Sequence, residues 1–374
     1  MSQTKNAIFI AATGQNVGKT TLSLGIISAL QKIYPRVGFV KPIGQQSVKV
    51  AEKIEVDKDA VLFKEHFNLN QTYPSLSPVI LPKGFTKAFL DGKQDTAILE
   101  KKIEESFASV LSAHDFVVVE GTGHIGVGSI VGLNNARVAA LLGLDMIIIA
   151  PGGLGSAVDE IALNVEMCKR YGVNVRGVIL NRVDPQKIEM IEHYIPKALA
   201  SLNIPLISCI PYNTLLGRPT VQDFELLFDT KLLSGHTHHC RHFSRNRLVA
   251  GSLDSYYEDV VPGELIITPA CREDIIFALL SLHRTKKIQE GTDQGWGMIL
   301  TGMSPPSEAI LDEIKSHDLP TLYAPVCSYD AMKKITSFVA KIRIEDKEKV
   351  QQAIQLVTKY LDIDTLCQTQ IMKI

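Results

Sequence analysis

The chain has 374 residues, of which 45% are hydrophobic and 21% are charged, and its formal net charge is −1. This length predicts two domains, and the composition is typical of a globular protein rather than a disordered one. A charge so close to zero argues against bulk attraction to nucleic acid or to a membrane surface. No apolar run reaches membrane-spanning length, no signal peptide is visible before Asn6, and the six cysteines form no C-x-x-C pair. We therefore expect a cytoplasmic protein with no nucleic-acid or membrane partner.

The first predicted strand, Ile8–Ala11, leads through a glycine-bearing loop into a helix that starts at Gly18-Lys19-Thr20. Strand, loop and helix in this order predict a P-loop, in which backbone N–H groups and the helix start bind phosphate oxygens. Lys19 would contact the β- and γ-phosphates, and the hydroxyl of Thr20 would bind Mg²⁺. The strict G-x-x-x-x-G-K-T spacing would require glycine at Thr13, whereas the glycine is Gly14. A structural turn that opens a helix is the alternative interpretation.

Five more strands are predicted before the middle of the chain, and helices separate most of them. The strands are Val37–Val40, Phe116–Val119, Met146–Ala150, Gly177–Leu180 and Pro205–Ile210, and the clearest helices are Asn134–Leu142, Ser156–Tyr171 and Gln186–Leu202. Runs that are apolar on both faces and joined by helices predict a mostly parallel sheet covered on both sides. Ligands bind such sheets at the carboxyl ends of the strands. We expect Lys19, Lys41, Glu120 and Asn181 to meet at that edge.

A connection is predicted over residues 212–229, and a second α/β pattern follows it. Its strands are Leu248–Ala250, Glu264–Thr268, Met298–Thr301 and Thr321–Ala324, and its helices are Glu273–Arg284, Ser307–His317, Tyr329–Phe338 and Asp346–Leu361, with a polar loop over residues 285–295. The predicted fold class is α/β, with a P-loop domain over residues 1–215 and a smaller α/β domain over residues 225–362.

One cluster in the second half has the composition of a metal site. The segment from His236 to His242 reads H-x-H-H-C-x-H. This spacing matches no usual zinc pattern, and consecutive residues of a strand point to opposite faces. A surface loop is therefore favoured over a metal site.

Several motifs together resemble known families. Those of the first domain resemble the dethiobiotin synthetase-like P-loop family; they are Thr13-Gly-Gln-Asn-Val-Gly-Lys-Thr, Lys41-Pro-Ile, Glu120-Gly-Thr-Gly-His and Leu180-Asn-Arg-Val. The same layout is similar to the N-terminal part of long bacterial phosphotransacetylases, in which a DRTGG domain follows. The second half resembles that domain in Leu265-Ile-Ile-Thr-Pro-Ala-Cys-Arg-Glu-Asp-Ile and Gly297-Met-Ile-Leu-Thr-Gly.

The resemblance implies ATP and Mg²⁺ as cofactors and gives individual residues a role. The nucleotide would be bound by Gly14, Gln15, Asn16, Val17, Gly18, Lys19, Thr20, Thr21 and Asn181, the last of which is placed like the family's adenine-contacting asparagine. The metal would be bound by Thr20, Glu120 and Asp59. Lys41 matches the lysine that helps to bind substrate and to stabilise the transferred phosphate, which makes it the candidate catalytic residue.

Departures from these families bear on function. Gly14-Gln15-Asn16 replace a carboxylate and a hydroxyl of the synthetases' G-T-D-T-x-V-G-K-T, and Gly44-Gln45-Gln46 replace a Ser-Gly type loop. In the second domain, Cys271-Arg272 stands for Asp-Arg, and Thr301-Gly302-Met303 for Thr-Gly-Gly.

The acetyl-transferring domain of phosphotransacetylases would follow Leu361, so we do not expect this chain alone to transfer acetyl groups.

Two functions follow from the resemblance. The first is a nucleotide-sensing regulatory protein, related to the non-catalytic N-terminal part of phosphotransacetylase, whose DRTGG-like domain binds a small molecule or a protein. The second is an ATP-dependent ligase of the dethiobiotin synthetase type that acts on a small amine or carboxylate. The sequence leaves open whether the chain is an enzyme, either ligase or ATPase, and whether it forms a homo-oligomer.

Overall fold

The computed structural model describes residues 6–50 and 54–367, and the chain forms two compact units. The first contains the described residues up to Asn213 together with those from Ile342 onward, and the second contains Thr214–Lys341. Residues 1–5, on which the expectation of no signal peptide rests, lie outside the described residues. Within the described ranges, no helix is both long enough and apolar enough to cross a membrane.

In the described N-terminal part of the first unit there are ten strands and eight α-helices. The strands are β1 (Ala7–Ala12), β2 (Val37–Val40), β3 (Ile43–Gly44), β4 (Ser47–Val50), β5 (Ile54–Asp57), β6 (Val79–Ile80), β7 (Phe116–Glu120), β8 (Met146–Pro151), β9 (Val175–Val183) and β10 (Leu206–Pro211). The helices are α1 (Lys19–Leu30), α2 (Lys58–Phe67), α3 (Tyr73–Leu76), α4 (Phe85–Leu90), α5 (Thr96–Ala113), α6 (Asn135–Leu142), α7 (Gly155–Arg170) and α8 (Ile188–Leu199).

A six-stranded parallel sheet forms the centre of this unit. Its order is β10-β9-β8-β1-β7-β2, and every neighbouring pair is parallel. All six residues of β1 are buried, as are the five of β7, which is the expected consequence of helices on both faces. The predicted α/β class is confirmed, and the carboxyl ends of these strands lie at one edge.

The segment between β2 and β7, for which the sequence analysis predicts no element, contains four short strands and four helices among its described residues. β4 and β5 form an antiparallel hairpin, and β3 pairs with β6. Helix α5 follows and buries Leu99, Ile103, Phe107 and Val110. Their spacing of three to four residues is that of an amphipathic helix, so this helix was detectable from the sequence.

The second unit is a smaller α/β structure. Its elements are α9 (Thr214–Gly217), α10 (Val221–Phe228), β11 (Leu232–Ser234), β12 (Arg245–Leu248), α11 (Leu253–Glu258), β13 (Glu264–Pro269), α12 (Glu273–Gln289), β14 (Gly297–Thr301), α13 (Glu308–Lys315), β15 (Thr321–Ala324) and α14 (Ser328–Ser337). The sheet order is β11-β15-β14-β13-β12, with β11 antiparallel and the others parallel. Leu265 and Ile267 pack in one core cluster and Ile266 in another, so helices cover both faces.

Three local predictions for this unit were wrong. The predicted connection over residues 212–229 contains α10, because Thr220 and Asp223 form a capping box at its start. The predicted polar loop from residue 285 begins only after Gln289, since the lysine-rich end of α12 suits a helix C-terminus. The strand predicted at Leu248–Ala250 is β12, which ends at Leu248 and pairs with β13.

After the second unit the chain returns to the first. Helices α15 (Lys347–Tyr360) and α16 (Ile363–Cys367) belong to the first unit, whereas the sequence analysis placed residues up to 362 in the second domain. α15 packs on α1, and a Cβ atom added to Gly25 would lie 2.3 Å from Cβ of Val357. An amphipathic pattern predicts a helix but not the sheet or helix that it covers, which explains the difference.

Candidate nucleotide site

The loop between β1 and α1 has the backbone of a phosphate-binding loop. Gly18 adopts φ 106° at the start of α1, and Asn16 has φ 60°. A side chain at Gly18 would be strained by this φ, and its Cβ would lie 2.2 Å from Nδ2 of Asn181. Thr13, at the position of the missing glycine, is buried and donates its hydroxyl to Glu160 Oε2 at 2.8 Å. The threonine therefore fits this position because Glu160 satisfies its hydroxyl.

Lys19 and Thr20 open α1 and face the end of β7. The ammonium of Lys19 donates to the carbonyl oxygen of Gly123, in the loop that follows β7. The hydroxyl of Thr20 donates to Glu120 Oε1 at 3.5 Å. Gly14, Gln15, Asn16 and Thr21 are exposed or half-buried on the same loop and helix start, and Val17 is buried beneath them.

An ion cluster lies at the same edge, where β2 and β7 end. Lys41 is 5% exposed, and Glu120 is fully buried. The ammonium of Lys41 lies 3.2 Å from Glu120 Oε1 and 3.4 Å from Asp57 Oδ1, and it also contacts Asp59. Three carboxylates thus surround one cation, next to the start of α1.

The environment shifts the pKa values of both central groups. Burial alone would lower the pKa of Lys41, but the carboxylates of Asp59, Glu120 and Asp57 raise it above its usual range. Burial raises the pKa of Glu120, and Lys41 opposes that effect. The three carboxylates thus favour the charged form of Lys41, which forms an ion pair with each of them.

The donor set at the end of β7 suits a hard cation such as Mg²⁺. Magnesium is usually bound by one or two carboxylates together with phosphate oxygens and water. Thr20 and Glu120 supply oxygens, and Oε2 of Glu120 is buried with no hydrogen-bond partner in the described part of the chain. No group of three or more His, Cys, Asp or Glu side chains in the described residues could hold a metal ion.

Asn181 connects the P-loop to the end of β9. Its Nδ2 donates to the carbonyl oxygen of Val17 at 2.7 Å, and the residue is 4% exposed. A cavity of about 340 Å³ lies beside it, lined by Gly152, Arg182, Tyr212 and neighbouring residues. The N–H of Gly152, which lines the cavity, donates to the backbone carbonyl of Asn181 at 2.6 Å.

The structure brings Lys19, Thr20, Lys41, Asp59, Glu120 and Asn181 to one edge of the sheet. Two residues at this edge were not among the candidates from sequence. Asp57 precedes Asp59 by two residues, and that short acidic pair was the available signal. Glu160 lies on α7, and nothing in its sequence context indicated it.

The histidine cluster of the second unit serves hydrogen bonding. His239 Nδ1 lies 2.9 Å from Glu225 Oε2, and His238 Nε2 lies 3.2 Å from Asp318 Oδ2. Both histidines therefore have carboxylate partners within the second unit.

Comparison with known families identifies the two halves. Residues 6–220 match the AAA_26 family, described as an AAA domain. The chain belongs to this family. Residues 227–338 match the DRTGG domain, so the predicted pairing of a P-loop domain with a DRTGG domain is confirmed.

Individual relatives agree with the family assignment. Phosphate acetyltransferase of Nitratidesulfovibrio vulgaris is 25% identical over 372 residues, which cover 96% of this chain and 51% of that protein. The ATP-dependent dethiobiotin synthetase BioD of Clostridium novyi is 27% identical over 190 residues, which cover 49% of this chain and 78% of that protein. The chain spans about half the length of the phosphate acetyltransferases it matches. Among solved structures, the MinC:MinD cell division complex of Aquifex aeolicus gives a TM-score of 0.36 at 19% identity, over 56% of this chain and 83% of that one.

Proposed function

We propose that the first unit binds ATP with Mg²⁺ and that the chain is a nucleotide-sensing regulatory protein. The observation that carries the nucleotide part is the convergence of Lys19, Thr20 and Glu120 at the carboxyl edge of a parallel sheet. A helix start with a lysine and a hydroxyl beside a buried carboxylate is the arrangement that phosphate and magnesium require.

Each group has a separate part in binding. Lys19 neutralises the β- and γ-phosphates, and the N–H groups of the loop from Gly14 to Gly18 bind their oxygens. Thr20, Glu120 and Asp59 hold Mg²⁺, which supplies positive charge to the phosphates when it is bound. Lys41 keeps Asp59 and Glu120 together through its ion pairs.

The base is assigned to the cavity beside Asn181. An asparagine amide offers one acceptor and two donors, which suits the paired donor and acceptor of an adenine edge. Asn181 also donates to Val17, so its amide couples the base side of the site to the phosphate loop. The size of the cavity, about 340 Å³, falls within the range of small-ligand pockets.

The loop after β2 supports a sensor rather than a ligase. The backbone N–H groups of Gln45 and Gln46 donate to Asp57 Oδ2 at 3.1 and 3.3 Å. In a ligase this segment would border the second substrate. Here its backbone N–H groups donate to the carboxylate of Asp57 instead. A ligase is the second candidate function. Lys41 lies just after β2 and forms an ion pair with Glu120, and a dethiobiotin synthetase is among the relatives.

The nucleotide assignment is tested by calorimetric titration of ATP in the presence of Mg²⁺. Lys19→Ala removes a charge-assisted contact, and such contacts contribute about 1.5–3 kcal/mol. We expect the variant to lose most of the affinity of the wild type. Equal affinity in the two proteins would contradict the assignment.

Sensor and ligase differ in the effect of Lys41→Ala. In a sensor, ATP hydrolysis is slow in both proteins, and loss of the lysine weakens ATP binding. In a ligase, the lysine stabilises charge on the transferred phosphoryl group, so turnover is lost while binding remains. ATP turnover is measured with and without the diamino-acid substrate of the synthetases. Rapid substrate-stimulated turnover by the wild type, abolished in Lys41→Ala at unchanged affinity, would establish the ligase.

A further inference from the structure

The second unit contains a cavity of about 450 Å³ between α12 and the segment that follows α13. We propose that this cavity binds the phosphate group of a small organic phosphate ester. The proposal concerns the second unit alone and goes beyond nucleotide binding by the first. It is argued from the side chains that line the cavity.

Nitrogen donors dominate the wall. His283 and Lys287 are one turn apart on α12, and Arg284 is next to His283. His317 and Ser316 follow α13 on the opposite side. Nδ1 of His317 is bonded to the carbonyl oxygen of Glu313 at 2.9 Å, which fixes the orientation of that ring.

His283 is the observation that points to a ligand. Its side chain lines the cavity, the residue is 3% exposed, and Nε2 has no hydrogen-bond partner in the described part of the chain. A buried polar atom without a partner is destabilising, and native structures rarely leave one unexplained. An oxygen atom of a bound anion would supply the missing partner. Burial lowers the pKa of His283, so at neutral pH the ring offers a hydrogen bond rather than a charge.

The charges of the cavity favour an anion. The lining of the cavity contains two cations, Arg284 and Lys287, and one carboxylate, that of Asp318. That carboxylate is already engaged, with His238 Nε2 at 3.2 Å and Lys287 Nζ at 3.4 Å. A guanidinium, an ammonium and two imidazoles line the cavity, and so many nitrogen donors suit the three free oxygens of a phosphate ester better than the two oxygens of one carboxylate.

The rest of the cavity indicates an organic ester rather than inorganic phosphate alone. Ile288 also lines it and is 72% exposed, which gives an apolar surface beside the cations. Asp318 can accept a hydrogen bond from a ligand hydroxyl. A volume of about 450 Å³ holds a small molecule.

The experiment titrates glycerol 3-phosphate into the full chain by calorimetry, with glycerol and malonate as comparison probes. The Lys19→Ala chain is used in parallel, because a P-loop can also bind phosphate. We expect saturable binding of glycerol 3-phosphate to both proteins, no binding of glycerol, and weaker binding of malonate. The fluorescence of Trp296, the chain's single tryptophan, gives a second signal from the same unit.

Variants then locate the site. Lys287→Ala and Arg284→Ala should each weaken binding by about tenfold, since each removes a charge-assisted contact. His283→Leu should abolish binding, whereas His283→Gln, which keeps an N–H near the position of Nε2, should retain part of it. Lys286→Ala is the matched control, because this lysine of α12 pairs with Glu290 and does not line the cavity. It should bind like the wild type.

Four results would overturn the proposal. They are absence of saturable binding to the wild type, loss of binding in Lys19→Ala, equal weakening by Lys286→Ala and Lys287→Ala, and malonate binding as tight as that of the phosphate ester. Loss of binding in Lys19→Ala would place the anion at the P-loop. Failure of ATP to bind the wild type would contradict the proposed function and leave this site unaffected. Lys287 and Arg284 are exposed, so their variants remain informative if His283→Leu does not fold.

Discussion

Lys41→Met removes the cation that pairs with Asp57, Asp59 and Glu120, and it tests whether this cluster supports the fold. Methionine keeps an unbranched side chain of similar length, so the change deletes charge with little loss of volume. The lysine lies 3.2 Å from Glu120 and 3.4 Å from Asp57, and it contacts Asp59. The side chains of Lys41, Glu120 and Asp57 are all less than a tenth exposed.

Removing one partner of a buried ion pair costs about 3–5 kcal/mol, because the other charge is left without compensation. We expect the upper part of this range, since Glu120 and Asp57 would both lose the cation. Asp59 contributes less because its side chain is 20% exposed. Added Mg²⁺ should recover part of the loss, because it can take the place of the ammonium among the carboxylates.

The free energy of unfolding is measured by urea denaturation followed by circular dichroism. Lys93→Met is the control, because Lys93 forms an exposed ion pair with Asp91 at 3.2 Å. Surface changes of this kind usually alter stability by less than about 0.5 kcal/mol. A Lys41→Met chain that unfolds within that margin of the control would refute the view that the lysine holds the acids together.

Three further changes test other parts of the structure. Gly25→Ala places a Cβ 2.3 Å from that of Val357 and should lower the urea unfolding free energy by about 1–3 kcal/mol; Val357→Ala in the same chain should restore part of it. The pKa of His283 is lowered in the folded state, so the unfolded chain takes up the proton first and stability falls as pH drops through about 6.5. In the His283→Gln variant, stability should fall less on acidification, and tryptophan fluorescence is used to measure the unfolding. Asn181→Ala should narrow the calorimetric preference for ATP over GTP, and equal binding of both by the wild type would exclude that role.

The sequence predicted what depends on local patterns. The P-loop, the buried strands and the meeting of Lys41 with Glu120 follow from motif order and from the rule that parallel strands end at one edge. Glu160 could not be predicted, because its partner Thr13 lies far away in the chain and a glutamate on a helix carries no local signal. Helix α5 was predictable, since the spacing of its buried apolar residues is regular.

Packing partners were the least predictable feature. The apolar spacing of α15 predicts an amphipathic helix, whichever element that helix packs against. The contact of α15 with α1 depends on Gly25, which leaves room for Val357. A glycine inside a helix does not by itself predict close packing. It can also occur there without any close contact, at a cost in helix propensity alone. The close helix–helix contact at Gly25 can be recognised only when the opposing side chain, Val357, is known.

The packing of α15 on α1 also bears on how the chain is made. The helix that carries Lys19 and Thr20 is synthesised before the second unit, and α15, which covers it, is synthesised only after that unit. Contacts between such distant segments slow folding, because the whole intervening chain must be ordered into a loop before they form. Until synthesis passes Tyr360, the apolar surface of α1 around Gly25 stays open to chaperones and to aggregation. Helix α1 therefore stays without this cover until the second unit has been synthesised.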